Sequence, residues 1–416
     1  MLKKIRISLS VVIFSIITIY LLDFRGFIPD SLSFLTEIQF IPALLSLNII
    51  ILVSLVILTL LFGRAYCSSI CPMGIYQDIV AWISKKRDKK KRYNYTKAKN
   101  LLRWSILGAT IFSFIVGFNF LVGLLDPYGA YGRIVTHLFR PIYLEGNNIL
   151  ATIFTSFNNY TFYKVGIYLL SVSSTVIALI TVIAIGYMSW RGGRIYCNTI
   201  CPVGTTLGFL SKYSLLKIRF VDDKCNMCGL CAMKCKASCI DSKNKQIYHS
   251  RCVTCFNCIE VCNRDAMRYS VSNINHVNHV NESKRRFLSA GLVTGLAVGK
   301  LFAQEMSKNI LPKQELKRQV PIAPPGAISF GHLREKCISC HLCVSKCPSH
   351  VIKPAFLEYG LGGIMQPKLY FDHGFCNYDC TVCGDVCPTG AILSLSVEEK
   401  NHTQMGKVHF ILENCI

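Results

Sequence analysis

The sequence predicts an all-α polytopic membrane domain followed by two small α+β domains, and three observations lead to this prediction. Of the 416 residues, 51% are hydrophobic and only 17% are charged, which is unusual for a soluble protein. Long uncharged segments occupy the first half of the chain, where one motif occurs twice. The 22 cysteines fall mainly in tight runs, a pattern typical of metal or cluster ligation rather than of disulfides.

Four apolar segments are candidates for membrane-spanning helices. Residues 40–62 hold no charged side chain, and this length can cross a bilayer core of roughly 30 Å. The other three segments are 7–22, 105–125 and 165–190. Residues 7–22 also fit a signal peptide, but a second apolar segment follows and no A-x-A-like cleavage site does. We therefore expect four transmembrane helices.

The net charge of +23 is concentrated in short stretches, and this predicts an orientation. Residues 85–103 contain ten Lys and Arg side chains against the single acid Asp88, whereas 23–39 and 126–164 are nearly balanced. The positive-inside rule places 63–104 in the cytoplasm and 126–164 in an outer loop. A basic run could also bind nucleic acid, but its position between two spans makes membrane topology the simpler cause.

The repeated motif is GRAYCSSICPMG at 63–74, which returns as GRIYCNTICPVG at 193–204. Each copy follows a predicted span, so we expect two related halves with a shared site at their interface. A C-x-x-x-C pair is expected to place both thiols on one face of a helical turn. The cofactor-site candidates are Cys67, Cys71, Cys197 and Cys201. They could hold an additional metal centre, act as a dithiol relay, or only shape the chain.

Four further cysteine runs predict iron–sulfur clusters. Three runs have the spacing C-x-x-C-x-x-C-x-x-x-C, and the fourth differs by one residue. In this pattern three cysteines surround one [4Fe–4S] cube and the fourth reaches the partner cluster. The predicted ligand sets are Cys225, Cys228, Cys231 and Cys262 for cluster one; Cys252, Cys255, Cys258 and Cys235 for cluster two; Cys337, Cys340, Cys343 and Cys387 for cluster three; and Cys376, Cys380, Cys383 and Cys347 for cluster four. Each pair predicts a bacterial-type 2[4Fe–4S] ferredoxin domain.

Competing cofactors are less well supported. Zinc also binds C-x-x-C pairs, but a structural zinc site does not need a third and a fourth cysteine at the spacing that all four runs share so closely. Cys337, Cys340 and His341 match the C-x-x-C-H signal of a c-type haem, which would leave Cys343 and Cys347 without a role. The predicted spans contain no histidine for a b-type haem, and no G-x-G-x-x-G with an acidic partner supports nicotinamide or flavin binding.

Three single residues need their own interpretation. Cys239 occupies a position where the other runs have small apolar residues, so we expect a packed thiol. Cys415 could begin a further cluster run or be a leftover thiol. His137, in the predicted outer loop, could help a quinol site, but we expect a surface histidine.

The predicted domains divide the chain at its changes of composition. The boundaries are 1–218 for the membrane domain, 219–270 for a first ferredoxin domain, 271–330 for a linker and 331–416 for a second ferredoxin domain. Within the linker, Arg285 and Arg286 precede a moderately apolar segment, 287–303, which is at the short limit for a span.

Residues 1–270 resemble the NapH-type membrane ferredoxins of periplasmic nitrate reductase systems, through Cys67–Pro72, Cys197–Pro202 and the runs at 225–235 and 252–262. Residues 283–416 look like the extracytoplasmic NapG or MauM type, which begins with a twin-arginine export signal. The resemblance implies a fusion of the two in the cytoplasmic membrane. It also implies that the second ferredoxin domain is exported to the periplasm and the first stays in the cytoplasm.

The same resemblance implies an electron-transfer component rather than a stand-alone catalyst. Quinol from the membrane pool would donate electrons, which four [4Fe–4S] clusters would pass to a periplasmic reductase or its electron-accepting subunit. An assembly, maturation or regulatory role for a metalloenzyme is the alternative, because relatives of the membrane module also serve there. The implied partners are the lipid bilayer, the quinone pool and a redox protein, and not nucleic acid.

Overall fold

A computed structural model describes residues 1–23, 28–88, 92–167, 170–221, 224–271, 321–371 and 374–405. Three sequence-based predictions lie outside the described residues: the Arg285–Arg286 export signal, the segment 287–303 and Cys415.

Helices build the first half of the chain. They are α1 Leu2–Leu22, α2 Phe34–Glu37, α3 Phe40–Leu45, α4 Ile49–Phe62, α5 Ala65–Ser69, α6 Pro72–Arg87, α7 Asn100–Ile115, α8 Phe120–Leu125, α9 Pro127–Ile134, a π-helical turn Val135–Phe139, α10 Arg140–Ser156, α11 Val172–Gly192, α12 Ile195–Thr199 and α13 Pro202–Leu210. Short 3₁₀ turns lie at Asp30–Ser33 and Ser211–Tyr213.

Two of the four predicted spans are continuous helices. Within the described residues, α1 and α11, each 21 residues long, are long and apolar enough to cross a membrane. The segments 40–62 and 105–125, predicted as single helices, are each divided. Leu47 (φ 57°) separates α3 from α4, and Gly117 (φ 76°) separates α7 from α8. A left-handed residue cannot continue a right-handed helix, so the repeat of four spanning helices stays a prediction.

Within the predicted outer loop, 126–164, residues 127–156 are helical. Asp126 caps α9, and its Oδ2 accepts a hydrogen bond of 2.6 Å from the backbone N–H of Gly129. Pro127 follows at the first helical position, where its missing N–H costs nothing. Asp-Pro is therefore the local signal that starts this helix.

The two motif copies fold alike. In each copy an apolar helix ends at a left-handed glycine, Gly63 (φ 74°) or Gly193 (φ 71°), and a short helix and then a proline-initiated helix follow. The prediction that both thiols lie on one helical turn is wrong. Cys67 lies in α5, but Cys71 is extended (ψ 115°) and precedes Pro72, because a residue before proline is pushed out of the helical region.

The cysteine-rich parts are small α+β units. The first contains β1 Leu216–Phe220, α14 Leu230–Met233, β2 Ile240–Asp241, β3 Gln246–Ile247, α15 Asn257–Glu260 and β4 Met267–Val271. The second contains α16 Phe330–Lys336, α17 Leu342–Lys346, β5 Ile352–Pro354, a 3₁₀ turn Leu361–Gly363, β6 Pro367–Leu369, α18 Val382–Asp385 and α19 Val397–His402. β1 pairs antiparallel with β4, β2 with β3, and β5 with β6.

The two ferredoxin-type units contact opposite ends of α1. Near the start of α1, Arg6 donates to Asp78 of α6 (3.1 Å), and Asp78 also pairs with Lys236 of the first unit. At the other end, Asp23 pairs with Lys346 of the second unit at 2.8 Å. At 1.5 Å per residue, Arg6 and Asp23 are about 25 Å apart along the helix. We call the first unit, at the Arg6 end of α1, the inner ferredoxin unit. We call the second unit, at the Asp23 end, the outer ferredoxin unit.

Candidate functional site

Each predicted cluster set surrounds one cavity. A cavity of about 680 Å³ is lined by Cys225, Cys228, Cys231 and Cys262; one of about 310 Å³ by Cys235, Cys252, Cys255 and Cys258; one of about 360 Å³ by Cys337, Cys340, Cys343 and Cys387; and one of about 310 Å³ by Cys347, Cys376, Cys380 and Cys383. Within the described ranges, no three Cys, His, Asp or Glu side chains converge closely enough to hold a single metal ion. Four cysteines around one cavity are the ligand set that a [4Fe–4S] cube needs.

The loops of clusters one to three share one backbone pattern. In each loop the residues before and after the second cysteine have left-handed φ angles: Met227 and Gly229, Thr254 and Phe256, Ser339 and His341. Only a tight reversal of the chain needs two such residues so close together. His341 thus occupies the loop position of Gly229 and Phe256. Its ring nitrogens lie within hydrogen-bond distance of His137 and of the carbonyl oxygen of Met365, so this geometry does not support the haem interpretation.

Cys239 lies in the cavity of cluster two rather than in a remote core. Its Sγ is 3.6 Å from the Sγ of Cys235, and its side chain is buried. The expected packed thiol is therefore a fifth sulfur beside a predicted ligand.

The four cysteines of the repeated motif are buried together in the core between the two halves. Each is at most 4% exposed. Cys201 Sγ accepts a hydrogen bond from the backbone N–H of Gly204 (3.3 Å), and the side-chain amide of Gln77 lies 3.1 Å from Cys197 Sγ. We call Cys67, Cys71, Cys197 and Cys201 the cysteine quartet.

Two arginines cross between the repeats at this quartet. Arg64 donates to the carbonyl oxygen of Cys197 (3.1 Å), and Arg194 donates to that of Cys67 from the other half. Arg64 also lies 3.8 Å from Cys67 Sγ, and Arg194 lies 3.9 Å from Cys197 Sγ. Two guanidinium groups thus face the four thiols.

The charges of the two arginines are balanced differently. Arg194 pairs with Asp78 at 2.6 Å, whereas among the described residues no carboxylate pairs with Arg64. Arg64 instead donates to Asn198 Oδ1 (2.7 Å), and its Nε has no partner. Burial raises the pKa of the Cys71 and Cys201 thiols, which are therefore neutral in the absence of a metal. A buried cation without an anionic partner is costly, so Arg64 favours negative charge on the sulfurs.

The inner unit contacts residues that flank the quartet. The backbone N–H of Arg194 donates to the carbonyl of Lys236 (2.9 Å), and Asn198 donates to that of Ala237 (3.2 Å). Arg64 reaches the carbonyl of Ser250 (3.3 Å). These contacts place the loops that carry Cys235 and Cys252 beside the quartet.

The outer unit rests on a glycine-rich face at 123–132. A Cβ at Gly129 would lie 2.8 Å from the carbonyl oxygen of Ile338, and a Cβ at Gly132 would overlap that of Cys340. Arg133 is fully buried and donates to the carbonyl of Ser339 (3.1 Å). The loop of cluster three is therefore packed directly onto the helical domain.

His137, expected at the surface, is 5% exposed, so that prediction is wrong. Its Nε2 lies 2.7 Å from Nδ1 of His341, and its Nδ1 lies 3.3 Å from the hydroxyl of Thr175. The outer unit covers it, which no local pattern around residue 137 reveals. The sequence does carry two signals that this helix has a packed face: the Asp-Pro helix start and the glycines at 123, 129 and 132.

Family models match both halves of the chain. One described as a 4Fe-4S binding domain matches residues 46–91 and 174–220, and one described as a 4Fe-4S dicluster domain matches 336–391. The first two matches enclose the quartet, two cysteines in each. The matched segments and the many cysteines support iron–sulfur cluster binding.

Curated relatives carry electron-transfer names. YccM of Escherichia coli, named for electron transport, is 23% identical over 293 residues, covering 68% of this chain and 73% of its own length. The ferredoxin-type protein NapH of E. coli is 22% identical over 222 residues (50% of this chain, 64% of NapH), and NapG is 29% identical over 134 residues (32% and 56%). No solved structure matches the chain. The resemblance to NapH-type ferredoxin proteins that the motifs predicted is thus confirmed, and the chain is a homologue of these proteins with 4Fe–4S binding domains.

Proposed function

We propose that this protein transfers electrons from a membrane quinol, through iron–sulfur clusters, to a redox partner such as a periplasmic reductase. One observation carries the proposal: the cluster-three loop packs on the helical domain through Gly129, Gly132 and Arg133. Electron transfer needs such close contact between a donor site in the membrane and an acceptor. The protein would act as one component of an oxidoreductase chain.

Four cubane clusters would be held by the four cavity-lining sets, which cross between runs as the spacing predicts. When bound, such clusters supply one-electron transfer at potentials tuned by their surroundings. Cys228 is exposed, whereas all four cysteines of the second set are buried. The rim of the first cavity is therefore the position in the inner unit from which a soluble protein could exchange electrons.

The cysteine quartet would hold one additional iron–sulfur centre shared by the two halves. Each matched 4Fe-4S segment contributes only two of its cysteines, so neither half can complete a four-cysteine site alone. Arg64, without a carboxylate partner in the described part of the chain, suits an anionic centre. Tyr196 lies between Arg194 and Cys197 in the second motif copy. Its hydroxyl donates to the carbonyl of Leu125 (2.9 Å), next to the helix on which the outer unit packs.

The membrane arrangement follows from charge and docking. The basic stretch 85–103 favours the cytoplasm for the end of the helical domain that contacts the inner unit. The outer unit contacts the other end of α1, through Asp23 and Lys346. We propose that the outer unit faces the periplasm. We also propose the domain division predicted from the sequence, with the first boundary moved to Leu216 and the last to Phe330 so that β1 and α16 stay whole. Protease added to intact cells should then cleave the outer unit, and full protection would contradict this arrangement.

The function is tested by mixing anaerobic membranes with duroquinol and following the clusters by electron paramagnetic resonance. We expect reduction of at least one cluster in the wild type, and its loss in Cys343→Ser. His402→Gln, which replaces an exposed side chain of the outer unit, is the control and should be reduced like the wild type. Dithionite must reduce the clusters of all samples. A wild type whose clusters accept electrons from dithionite but from no quinol would refute the proposal.

The shared centre has a separate test. Iron and acid-labile sulfide are counted in the anaerobically purified full chain and in Cys71→Ser/Cys201→Ser. We expect the variant to lose the iron of one centre and to keep that of the other four. An unchanged count would remove the fifth centre and leave the four-cluster assignment intact.

A further inference from the structure

We propose that the quinol is oxidised where the π-helical turn meets α11 and the cluster-three loop, with His137 as the base that accepts its first proton. The inference rests on the proposed function and gives it a site. His137, Thr175 and His341 form the centre of that site. They come from three separate parts of the chain.

The hydrogen bonds fix which ring nitrogen of His137 can accept a proton. Nε2 of His341 lies 3.0 Å from the carbonyl oxygen of Met365, which can only accept, so this nitrogen carries the hydrogen. Nδ1 of a neutral His341 is then an acceptor, and Nε2 of His137 must donate to it across 2.7 Å. The lone pair on Nδ1 of His137 is left facing Thr175, whose hydroxyl donates to the carbonyl of Ser171 (2.8 Å).

Polar atoms around this pair lack partners. Arg133, Thr136 and Arg140 are each at least nine-tenths buried, and one polar atom of each has no hydrogen-bond partner. The atoms are Nε of Arg133, Oγ1 of Thr136 and Nε of Arg140. Buried polar groups are normally satisfied, so several orphans in one region point to a polar ligand. A quinol offers two hydroxyl groups on an apolar ring.

An exposed surface lies beside the proposed site. α10 continues from the π-helical turn, and on it Ile142 is 71% exposed and Tyr143 is 47% exposed. Apolar side chains on the outside of a membrane protein face the acyl chains. A π-helical turn is itself frequent at functional sites, and here it carries both His137 and the unpartnered Thr136.

The proposed step balances protons and electrons. The quinol loses two protons and two electrons and leaves as the quinone. The first proton goes to Nδ1 of His137 and is released to water, after which the same nitrogen accepts the second. The two electrons leave one at a time, and a cluster held by Cys337, Cys340, Cys343 and Cys387 would accept each in turn and pass it to the redox partner.

The surroundings favour release of the proton afterwards. Burial, with Arg133 and Arg140 nearby, lowers the pKa of His137 to about 4, so an imidazolium formed there does not persist.

The test compares His137→Gln with His249→Gln in membranes that contain the full chain. His249 is a half-buried histidine in the inner unit, and burial lowers its pKa to about 4 as well. We expect His137→Gln to slow cluster reduction by duroquinol about 100-fold, the size of a lost general base. The His249→Gln rate should match the wild type, and dithionite reduction and iron content should be unchanged in both.

A second measurement does not depend on turnover. An azido-quinone is photolysed with the wild type, and the labelled peptides are identified by mass spectrometry. We expect label within residues 126–156, within α11 or within the loop that holds His341, and its loss with excess duroquinol. If His137→Gln fails to fold, Thr175→Val serves as the second variant, with a smaller loss of rate.

The outcomes separate the site from the function. Normal duroquinol rates in folded His137→Gln, or labelling confined to other peptides, would overturn the site while the proposed function stands. If the wild type itself takes no electrons from duroquinol, the proposed function fails. Labelling alone then decides whether a quinone binds here.

Discussion

Arg64 donates a hydrogen bond to the carbonyl oxygen of Cys197, 3.1 Å away in the other repeat, and Arg194 returns the same contact to Cys67. The two copies of the motif are therefore locked together by each other's arginines. The contact explains why each copy ends in C-P-x-G, because the glycine leaves room for the arginine that arrives from the partner repeat.

Replacing that glycine should separate the repeats. A Cβ at Gly204 would overlap the carbonyl oxygen of Cys197 and lie 2.9 Å from Arg64. We expect Gly204→Ala to lower the free energy of unfolding by about 1–3 kcal/mol, as overpacking does, and to reduce the iron held by the quartet. Thermal unfolding in detergent and iron analysis measure both effects.

Gly108→Ala is the control for that substitution. Gly108 lies in α7, and a Cβ added there would meet nothing within 4 Å, so alanine should be neutral or stabilising by about 0.5–1 kcal/mol. Equal behaviour of Gly204→Ala and Gly108→Ala would contradict the locking role of the arginines.

Asp78 should be the most sensitive carboxylate at the inner docking surface. It pairs with Arg194 (2.6 Å), Arg6 (3.1 Å) and Lys236. Asp78→Asn leaves three cations uncompensated, and we expect a loss of about 3–5 kcal/mol. Glu398→Gln, at the exposed start of α19, should cost less than about 1 kcal/mol. A small effect at Asp78 would mean that the inner unit docks without this charge cluster.

The same carboxylate predicts how stability depends on pH. Burial alone would raise the pKa of Asp78, but Arg194 and Lys236 outweigh burial and hold this pKa well below its usual range. Its stabilisation is thus complete above an unfolded-state pKa of about 4 and is lost as the pH falls through the lower folded-state value. Acid unfolding of the wild type should be steeper below about pH 4 than that of Asp78→Asn. Parallel acid transitions would contradict the assignment.

Cys239 leads to a prediction about the midpoint potential of a cluster rather than about the stability of the fold. Its Sγ lies 3.6 Å from that of Cys235, and a thiol there can donate to a ligand sulfur. Donors to cluster sulfurs stabilise the more negative, reduced state, so Cys239→Ala should lower the midpoint potential of one inner cluster and leave the iron content unchanged. Redox titration followed by electron paramagnetic resonance measures the shift. Loss of four irons would instead make Cys239 a ligand.

Local pattern was sufficient where chemistry repeats along the chain. Spacing grouped the cysteines that line each of four cavities, although Cys239 also lines the second, and the ligand sets and the shared site stay predictions. The divisions at Leu47 and Gly117 were missed, since an uncharged run carries no signal of where a helix breaks. The burial of His137 was missed because the residue that covers it, His341, is distant in sequence. Tertiary docking, and not local preference, decides such positions.

The outer docking surface gives the last prediction. A Cβ at Gly132 would overlap the carbonyl oxygen of Cys340, so Gly132→Ala should lift the cluster-three loop away from the helical domain. Electron transfer falls steeply with distance. We therefore expect slower reduction by duroquinol, unchanged iron content and faster proteolysis of the outer unit. Gly146→Ala, in α10 where an added Cβ would meet nothing within 4 Å, is the matched control and should leave all three measurements unchanged. If Gly132→Ala instead lost the iron of one cluster at a normal rate of proteolysis, the glycine would shape the cluster loop itself rather than its docking.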